Sequence, residues 1–473
     1  MISALMFFNG FVIVYFVVLN GFYLVLSTIA FKSLRTYVHG LRSLHIDDLV
    51  SSSGGLPISL LVPAYNEAET IVDSVRSLLT LRYSDHEIIV INDGSRDATL
   101  VRLVAAFDLR RIERVATSSI VTQPVRHVYQ SRRHPNLLVI DKANGGKADA
   151  LNAGLNRSRG AIVSAMDADT LLEPDALARV ARPFLEDSST VAVGGIVRIA
   201  NGCRVEAGSV EDVRLPEKIL PRFQVLEYLR AFLASRVGWN ALGATLIISG
   251  AFGAFRRSIV DAVGGFDINS VGEDMELIVR MHRYCRDQGI DYRISFIPDP
   301  VAWTEAPETL SQLSRQRNRW QRGLAQVIVR HREMIGRRRY GVPGLVALPY
   351  FVVFELFGPI VELLGWVAFI LSVALGVVSI EYVALFLALA VFLGSSFSIA
   401  AVALEELSFR RYRRFNDLLV LLGIALVENF GYRQLTSIWR LRGLAAAVRR
   451  DGTWGEMERT GFDGAAAEAA HPS

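Results

Sequence analysis

Cysteine is nearly absent. Cys203 and Cys285 are the only two in 473 residues, too few for a disulfide framework and suited to a reducing compartment. An excess of either charge is missing as well: 51 Lys and Arg stand against 47 Asp and Glu, a formal +4. That balance excludes a strongly basic nucleic-acid binder or an acidic tail as the main theme, so no nucleic acid is expected among the partners. Charge itself is scarce, at 21% of residues against 51% hydrophobic, which is too apolar for an ordinary soluble chain. Two phosphate-binding signatures are also wanting. No GxGxxG follows the first strand-like run and no GxxxxGKS/T precedes Ala148, which removes dinucleotide oxidoreductases and P-loop NTPases.

The apolar residues are concentrated. Leu5 to Phe31 carries no charge, roughly 27 positions where about 20 cross a bilayer as a helix. A transmembrane helix over 1–31 is favoured over a cleaved signal peptide, because no Lys or Arg precedes the run and it is about twice the usual apolar length of such a leader. Lys32, Arg35 and Arg42 follow and place its C-terminal flank in the cytoplasm. A linker over 32–55 then leads to a cytosolic domain over 56–340. Apolar density returns over Leu345–Ile380, Tyr382–Leu404 and Leu418–Phe430, the first interrupted by Pro349, Glu355, Pro359 and Glu362. That mixture predicts a helix that begins at the interface and continues as a spanning one, with glutamates that point to a polar path. Arg410, Arg411, Arg413 and Arg414 favour the inside, and so do Arg433, Arg440, Arg442, Arg449 and Arg450, which leaves open whether the last apolar segment spans or re-enters. Interfacial and transmembrane helices are thus expected over 341–440, and a tail, disordered after Phe462, over 441–473. The expected place is the cytoplasmic (inner) membrane, multi-pass, with the large domain in the cytosol.

Inside that domain, short apolar runs alternate with amphipathic ones. Strands are expected at Ile58–Val62, Glu87–Ile91, Leu137–Ile140 and Ala161–Met166, and helices at Glu67–Leu81, Asp97–Phe107 and Ala148–Asn156. The alternation predicts an α/β domain with a parallel, doubly wound sheet, which binds ligands at the carboxyl ends of its strands. Those ends carry Tyr65-Asn66-Glu67, Asp93-Gly94-Ser95 and Asp167-Ala168-Asp169. In extended geometry Asp167 and Asp169 face one side of the sheet. Their oxygens suit Mg²⁺ or Mn²⁺, with a diphosphate completing the shell; the alternative is a turn aspartate capping the next helix. Lys142-Ala143-Asn144-Gly145-Gly146-Lys147 is a glycine turn flanked by two cations able to approach phosphates, or else a solvated lysine pair. Asp274, in Gly272-Glu273-Asp274, is a helix cap or a general base. Gln316, Arg319 and Trp320 fall on one helical face. An amide, a guanidinium and an indole there suit sugar stacking beside a phosphate clamp, with packing of Trp320 at the membrane edge as the alternative.

These motifs, in this order and followed by apolar helices, resemble the membrane-embedded processive family 2 glycosyltransferases, among them cellulose, hyaluronan, chitin and poly-N-acetylglucosamine synthases. The resemblance implies a GT-A-like fold in the cytosol flanked by transmembrane and interfacial helices. It implies that Tyr65 and Asp93 hold uracil, that Glu67 meets the ribose and Lys147 the pyrophosphate, and that Asp167 lies near the donor sugar. It further implies a Mg²⁺ or Mn²⁺ ion held chiefly by Asp169, and Asp274 as catalytic base. Ser249, Gly250 and Phe252 match the stretch lining the acceptor terminus, without the cysteine several synthases carry there. Gln316 and Trp320 fall to the acceptor and Arg319 to the diphosphate. The implied reaction is inverting transfer from a UDP-sugar, UDP-N-acetylglucosamine favoured over UDP-glucose, to a growing β-linked polysaccharide whose synthesis is coupled to export across the lipid bilayer, with room for envelope partner subunits. Two rivals stand beside it: a single-transfer enzyme with a lipid-linked acceptor, and a non-catalytic membrane receptor or regulatory subunit. No fused cyclic-dinucleotide domain is expected, since no Asp-x-Ser-x-x-Gly follows Arg414. Trp454-Gly455-Glu456-Met457-Glu458-Arg459 resembles a short segment of the poly-N-acetylglucosamine synthase branch.

Overall fold

The computed structural model describes residues 2–41, 55–206, 208–409, 411–412 and 414–449. Most of the linker, Arg42, Arg410, Arg413, Arg450, the Trp454–Arg459 motif and the tail after Phe462 lie outside the described residues. Two compact units emerge, a sheet domain within 55–214 and 245–306 and a helical unit within 2–39, 215–244 and 307–449.

The strands of the sheet domain are β1 Ile58–Ala64, β2 His86–Asp93, β3 Leu109–Ile112, β4 Val125–Ser131, β5 Leu137–Lys142, β6 Ile162–Met166, β7 Leu171–Leu172, β8 Thr190–Ile199, β9 Arg204–Glu206, β10 Ser209–Asp212, β11 Phe252–Arg256 and β12 Arg293–Thr304. Ten of them form one sheet in the order β3-β4-β5-β2-β1-β6-β11-β8-β12-β7, and β9 pairs with β10 in a separate ribbon. The run β5-β2-β1-β6 is parallel throughout, as the alternating pattern requires. Its strands are buried on both faces, Ile88 to Ile91 and Leu137 to Ile140 included, which is why they read as unbroken apolar runs.

The sheet is mixed rather than wholly parallel. β11 runs antiparallel to both of its neighbours, β6 and β8, and β4 is antiparallel to β3 and β5. The reversal of β11 has a positional consequence: Phe252 pairs with Met166, so the residues entering β11 arrive at the carboxyl end of β6. The first helix is also shorter than expected, Ile71–Leu79. Asn66 is left-handed, with φ 56°, and Glu67 to Thr70 form a turn closed by Thr70 N–H donating to the Glu67 carbonyl at 3.1 Å.

Two helices, Lys147–Leu155 and Glu273–Asp287, are seated on one apolar cluster. Leu151 and Leu155 from the first join Leu277, Ile278 and Met281 from the second over Leu61, Ile91 and Ile140 of the sheet. Both helices begin with residues singled out for chemistry. Their shared core fixes the two first turns relative to the strand ends.

In the helical unit, Ile2–His39 and Ile380–Ser408 are long and apolar enough to cross a membrane. Two further pairs pass the same test only as bent pairs, Pro343–Leu356 with Gly358–Ala374 at 44° and Phe415–Val427 with Tyr432–Val448 at 63°. The first bend falls inside the segment expected to change character, and it places Pro359 in the opening turn of the new helix, where a missing N–H costs least. Three carboxylates of this unit are met by arginines: Glu355 by Arg440 at 3.0 Å, Glu362 by Arg433 at 3.2 Å and Glu428, at the second bend, by Arg230 at 2.5 Å.

Candidate active site

The first two strand ends are tied to each other. Asn66 N–H donates to Ser95 Oγ at 3.0 Å and the Asn66 side-chain oxygen accepts from Arg96 N–H at 2.9 Å. Glu67 N–H donates to Thr99 Oγ1, and Ala68 N–H to Asp97 Oδ2. Asp97, which sequence reasoning passed over, is the hub of this pairing. Burial would raise its pKa, but the Thr99 hydroxyl and backbone N–H groups outweigh that and hold it low. Its only sequence signal is the Asp-x-Thr spacing of a local turn. The loop so fixed leaves Tyr65 39% exposed, with its ring available, while Glu67 is half-buried and accepts from Thr70 Oγ1 at 3.1 Å.

Asp93, expected at a uracil, is occupied otherwise. It is buried, and both carboxylate oxygens are taken: Gly145 N–H donates at 3.0 Å, Gly146 N–H at 2.7 Å, and the Lys142 ammonium lies 2.5 Å away. Lys142 is wholly buried between Asp93 and Asp149, 2.6 Å from the latter. Of the two cations flanking the glycine turn, the first is therefore an internal ion pair that shapes the turn and not a phosphate ligand. The turn closes over Gly94, whose φ of 69° and whose approach to Asn144 N, 2.6 Å from where a Cβ would stand, admit no larger residue.

The second cation behaves differently. Lys147 Nζ lies 2.7 Å from Asp167 Oδ1, 2.9 Å from Glu273 Oε1 and 3.4 Å from the Gly250 carbonyl. Burial alone would lower its pKa, but the two carboxylates more than offset this, so it stays charged. Asp274 sits beside it. Gly272 holds the cap position of the helix, and one Asp274 oxygen accepts from Gly250 N–H at 3.1 Å, so its chief outside contact is the strand-entry loop rather than a cap. Burial first, and the adjacent Glu273 charge second, push the Asp274 pKa above the ordinary carboxylate range, against Lys147 and two backbone N–H groups. A carboxylate raised in this way beside a fixed cation is what proton abstraction requires. Glu273 was legible only as the neighbour of Asp274; its partner, Lys147, is 126 positions away in the chain.

Asp167 and Asp169 follow β6 in a turn rather than in extended geometry, with Thr170 N–H donating to the Asp167 carbonyl at 3.1 Å and Asp167 N–H to the Ala251 carbonyl at 3.4 Å. Both are half-buried. Their hard oxygens fit Mg²⁺ or Mn²⁺ and not a soft metal. Among the described residues no three His, Cys, Asp or Glu side chains converge on one point, so this donor set supplies part of an oxygen shell and suits an ion that also binds phosphate.

Of the stretch expected at the acceptor, Ser249 and Gly250 are half-buried beside this cluster. Phe252 is not available: it is fully buried in β11, an interior strand between β6 and β8 whose first four residues, on both faces, are buried. In the helical unit, Gln316, Arg319 and Trp320 lie on the helix Leu310–Arg330. Gln316 is buried, and its side-chain carbonyl has no hydrogen-bond partner among the described residues. Arg319 is half-buried, and Trp320 is 43% exposed.

Comparison with known proteins gives the family and the fold. The profile described as "Glycosyltransferase like family 2" matches residues 56–323. A poly-β-1,6-N-acetyl-D-glucosamine synthase of Staphylococcus epidermidis is 30% identical over 274 residues, 58% of this chain and 56% of that protein. A synthase of the same name from Staphylococcus aureus (strain COL) is 29% identical over 322 residues, 67% of this chain and 66% of that protein. The chain thus spans less than two thirds of the length of these curated relatives. Among solved structures, the mannosyltransferase PcManGT of Pyrobaculum calidifontis, in complex with GDP-Man and Mn²⁺, superimposes with a TM-score of 0.51 at 19% identity, over 88% of this chain and 99% of that one. A mixed α/β sheet of the GT-A type, acids and a lysine gathered at its strand ends, and a family match over more than half the sequence lead to one conclusion: the chain belongs to glycosyltransferase family 2.

Proposed function

We propose that the chain is an inverting, metal-dependent transferase that moves N-acetylglucosamine from UDP-N-acetylglucosamine onto a growing β-linked polysaccharide. The observation that carries this reading is the cluster in which Lys147 bridges Asp167 and Glu273 while Gly250 N–H holds Asp274. The choice of sugar draws support from the poly-β-1,6-N-acetyl-D-glucosamine synthases the chain resembles. Uracil stacks on the exposed ring of Tyr65, and Glu67 meets the ribose. Asp93 acts through the glycine turn it holds rather than by touching the base. Ser249, Gly250, Gln316 and Trp320 serve the acceptor.

In the transfer, the acceptor hydroxyl attacks the anomeric carbon as Asp274 takes its proton. The new glycosidic C–O bond forms on the face opposite the breaking bond to phosphate, so an α-linked donor yields a β-linked product. Lys147 offsets the charge gained by departing UDP, the role the resemblance also gives to Arg319. Asp169 would hold a divalent ion, which when bound would supply Lewis-acid stabilisation to the same leaving group. The apolar helices keep the enzyme at the cytoplasmic membrane, with synthesis on the inner side and the polymer carried outward, alone or with envelope partner subunits.

The test is incorporation of radiolabel from UDP-N-acetylglucosamine and UDP-glucose, side by side, by the purified full chain in detergent. The expected result is a ladder of N-acetylglucosamine polymer that vanishes with EDTA and returns with Mn²⁺ or Mg²⁺. A single lipid-linked species, preference for UDP-glucose, or activity indifferent to chelation contradicts the proposal.

A further inference from the structure

Between Gln316 and Arg319 stands Arg317, a residue with no part in the transfer described so far. It is 8% exposed, a costly position for a guanidinium unless it is paired. It is paired through Nη2, while Nε has no hydrogen-bond partner among the described residues. Arg317 Nη2 lies 2.5 Å from Glu227 Oε2, and the same oxygen accepts from the Tyr432 hydroxyl at 2.8 Å. The Tyr432 ring is stacked on Phe223, centroids 4.4 Å apart and planes 10° from parallel, and both rings belong to an apolar cluster with Leu220, Leu313 and Trp439. Three helices, Ile219–Leu229, Leu310–Arg330 and Tyr432–Val448, thereby fix one guanidinium.

The free side of that guanidinium meets an indole. Arg317 Cζ lies 4.6 Å from the centroid of the Trp320 ring, within the reach of a cation–π contact. Cation on one face, exposed ring on the other, is an asymmetric arrangement. Trp320 has 43% of its surface open although it is large and apolar, and its orientation is set from behind by a charge that is itself tied down. An indole biased towards one orientation in this way offers a flat apolar face at lower entropic cost to a flat apolar ligand such as the C–H face of a pyranose ring.

We propose that Arg317, fixed by Glu227 and Tyr432, is a positioning residue that braces the Trp320 indole as the platform for an acceptor sugar ring. The proposal rests on the reading of Trp320 as an acceptor-binding residue. Arg317 then acts on acceptor affinity and has no direct contact with the donor, and the mild change Tyr432→Phe, which keeps the stack on Phe223 but drops the hydroxyl, loosens the brace without emptying the cluster.

The experiment titrates short N-acetylglucosamine oligosaccharides against the full chain in nanodiscs at saturating UDP-N-acetylglucosamine, for wild type, Tyr432→Phe, Arg317→Met, Trp320→Ala and the double variant Tyr432→Phe/Trp320→Ala. The expected result is an acceptor KM raised roughly three- to tenfold by Tyr432→Phe and Arg317→Met, an unchanged KM for the donor, and a double variant no weaker for acceptor than Trp320→Ala alone. If Trp320→Ala raises acceptor KM but Tyr432→Phe and Arg317→Met do not, or if the double variant's losses multiply, the brace is overturned while the platform stands. If Trp320→Ala itself leaves acceptor KM unchanged, the platform and the brace fall together.

Discussion

At the scale of single residues, the site turns on how two lysines five positions apart come to differ. Lys142 is buried against Asp93 and Asp149, whereas Lys147 keeps 19% of its side chain exposed between Asp167 and Glu273. Sequence presents them as equivalent flanks of a glycine turn. Burial separates them, and burial depends on strands that meet only in the fold. Asp274, by contrast, read from sequence as either a helix cap or a base, since acids are common in a helix's first turn, and only the resemblance favoured the base. Its raised pKa has a checkable consequence. The carboxylate must be ionised to accept a proton, so activity should fail on the acid side at a pH above the ordinary carboxylate value of about 3.9. The Glu273 charge raises that pKa and Lys147 lowers it. Glu273→Gln should therefore move the acid limb of kcat/KM to lower pH, and Lys147→Met should move it to higher pH while also weakening UDP-sugar binding. Limbs that stay in place in both variants would remove Asp274 from the role of base.

At the scale of elements, the parallel core β5-β2-β1-β6 followed directly from apolar runs alternating with amphipathic ones. The direction of β11 did not, because its chain enters the sheet from residues 215–244, which belong to the helical unit, and no local pattern encodes that detour. Yet this reversed strand is what delivers Gly250 to Asp274. The helix that carries Asp274 has a second anchor at its middle. His282 is buried, with Nε2 2.9 Å from the Thr245 carbonyl and Nδ1 2.7 Å from the Tyr292 hydroxyl. The first partner can only accept, so Nε2 carries a proton, and with burial favouring the neutral ring Nδ1 accepts from the tyrosine hydroxyl at neutral pH. Burial pushes its pKa down to about 4. The neutral form is thus favoured by folding, its contribution is complete above the unfolded value of about 6.5, and it is lost as pH falls from there toward 4. At pH 5 the loss amounts to about 2 kcal/mol. Thermal unfolding of the purified protein at pH 7 and pH 5 should show this decline, and His282→Gln, which can donate to Thr245 and accept from Tyr292 without titrating, should flatten it. An equal decline in the variant would place the acid sensitivity elsewhere.

At the scale of the whole molecule, the apolar composition announced membrane helices before any motif was read, and two helices have the length and hydropathy for it. The bends near Phe357 and at 428–431 were less legible, since a proline or a glycine in an apolar run marks a break without fixing its angle. The arginines that confuse the inside rule at the end of the chain are explained in part by their partners: Arg433 and Arg440 answer Glu362 and Glu355 within the helical unit, so they report on packing as much as on sidedness. The claim that unites these parts is that Asp274 deprotonates the attacking hydroxyl of a sugar acceptor. Its most direct measurement compares wild type and Asp274→Asn, purified as full chains in detergent with Mn²⁺, for radiolabel incorporation from UDP-N-acetylglucosamine and for UDP binding by calorimetry. The account predicts incorporation lower by roughly 10²- to 10⁴-fold with UDP binding retained within a few-fold; polymer formed by Asp274→Asn at the wild-type rate would contradict it.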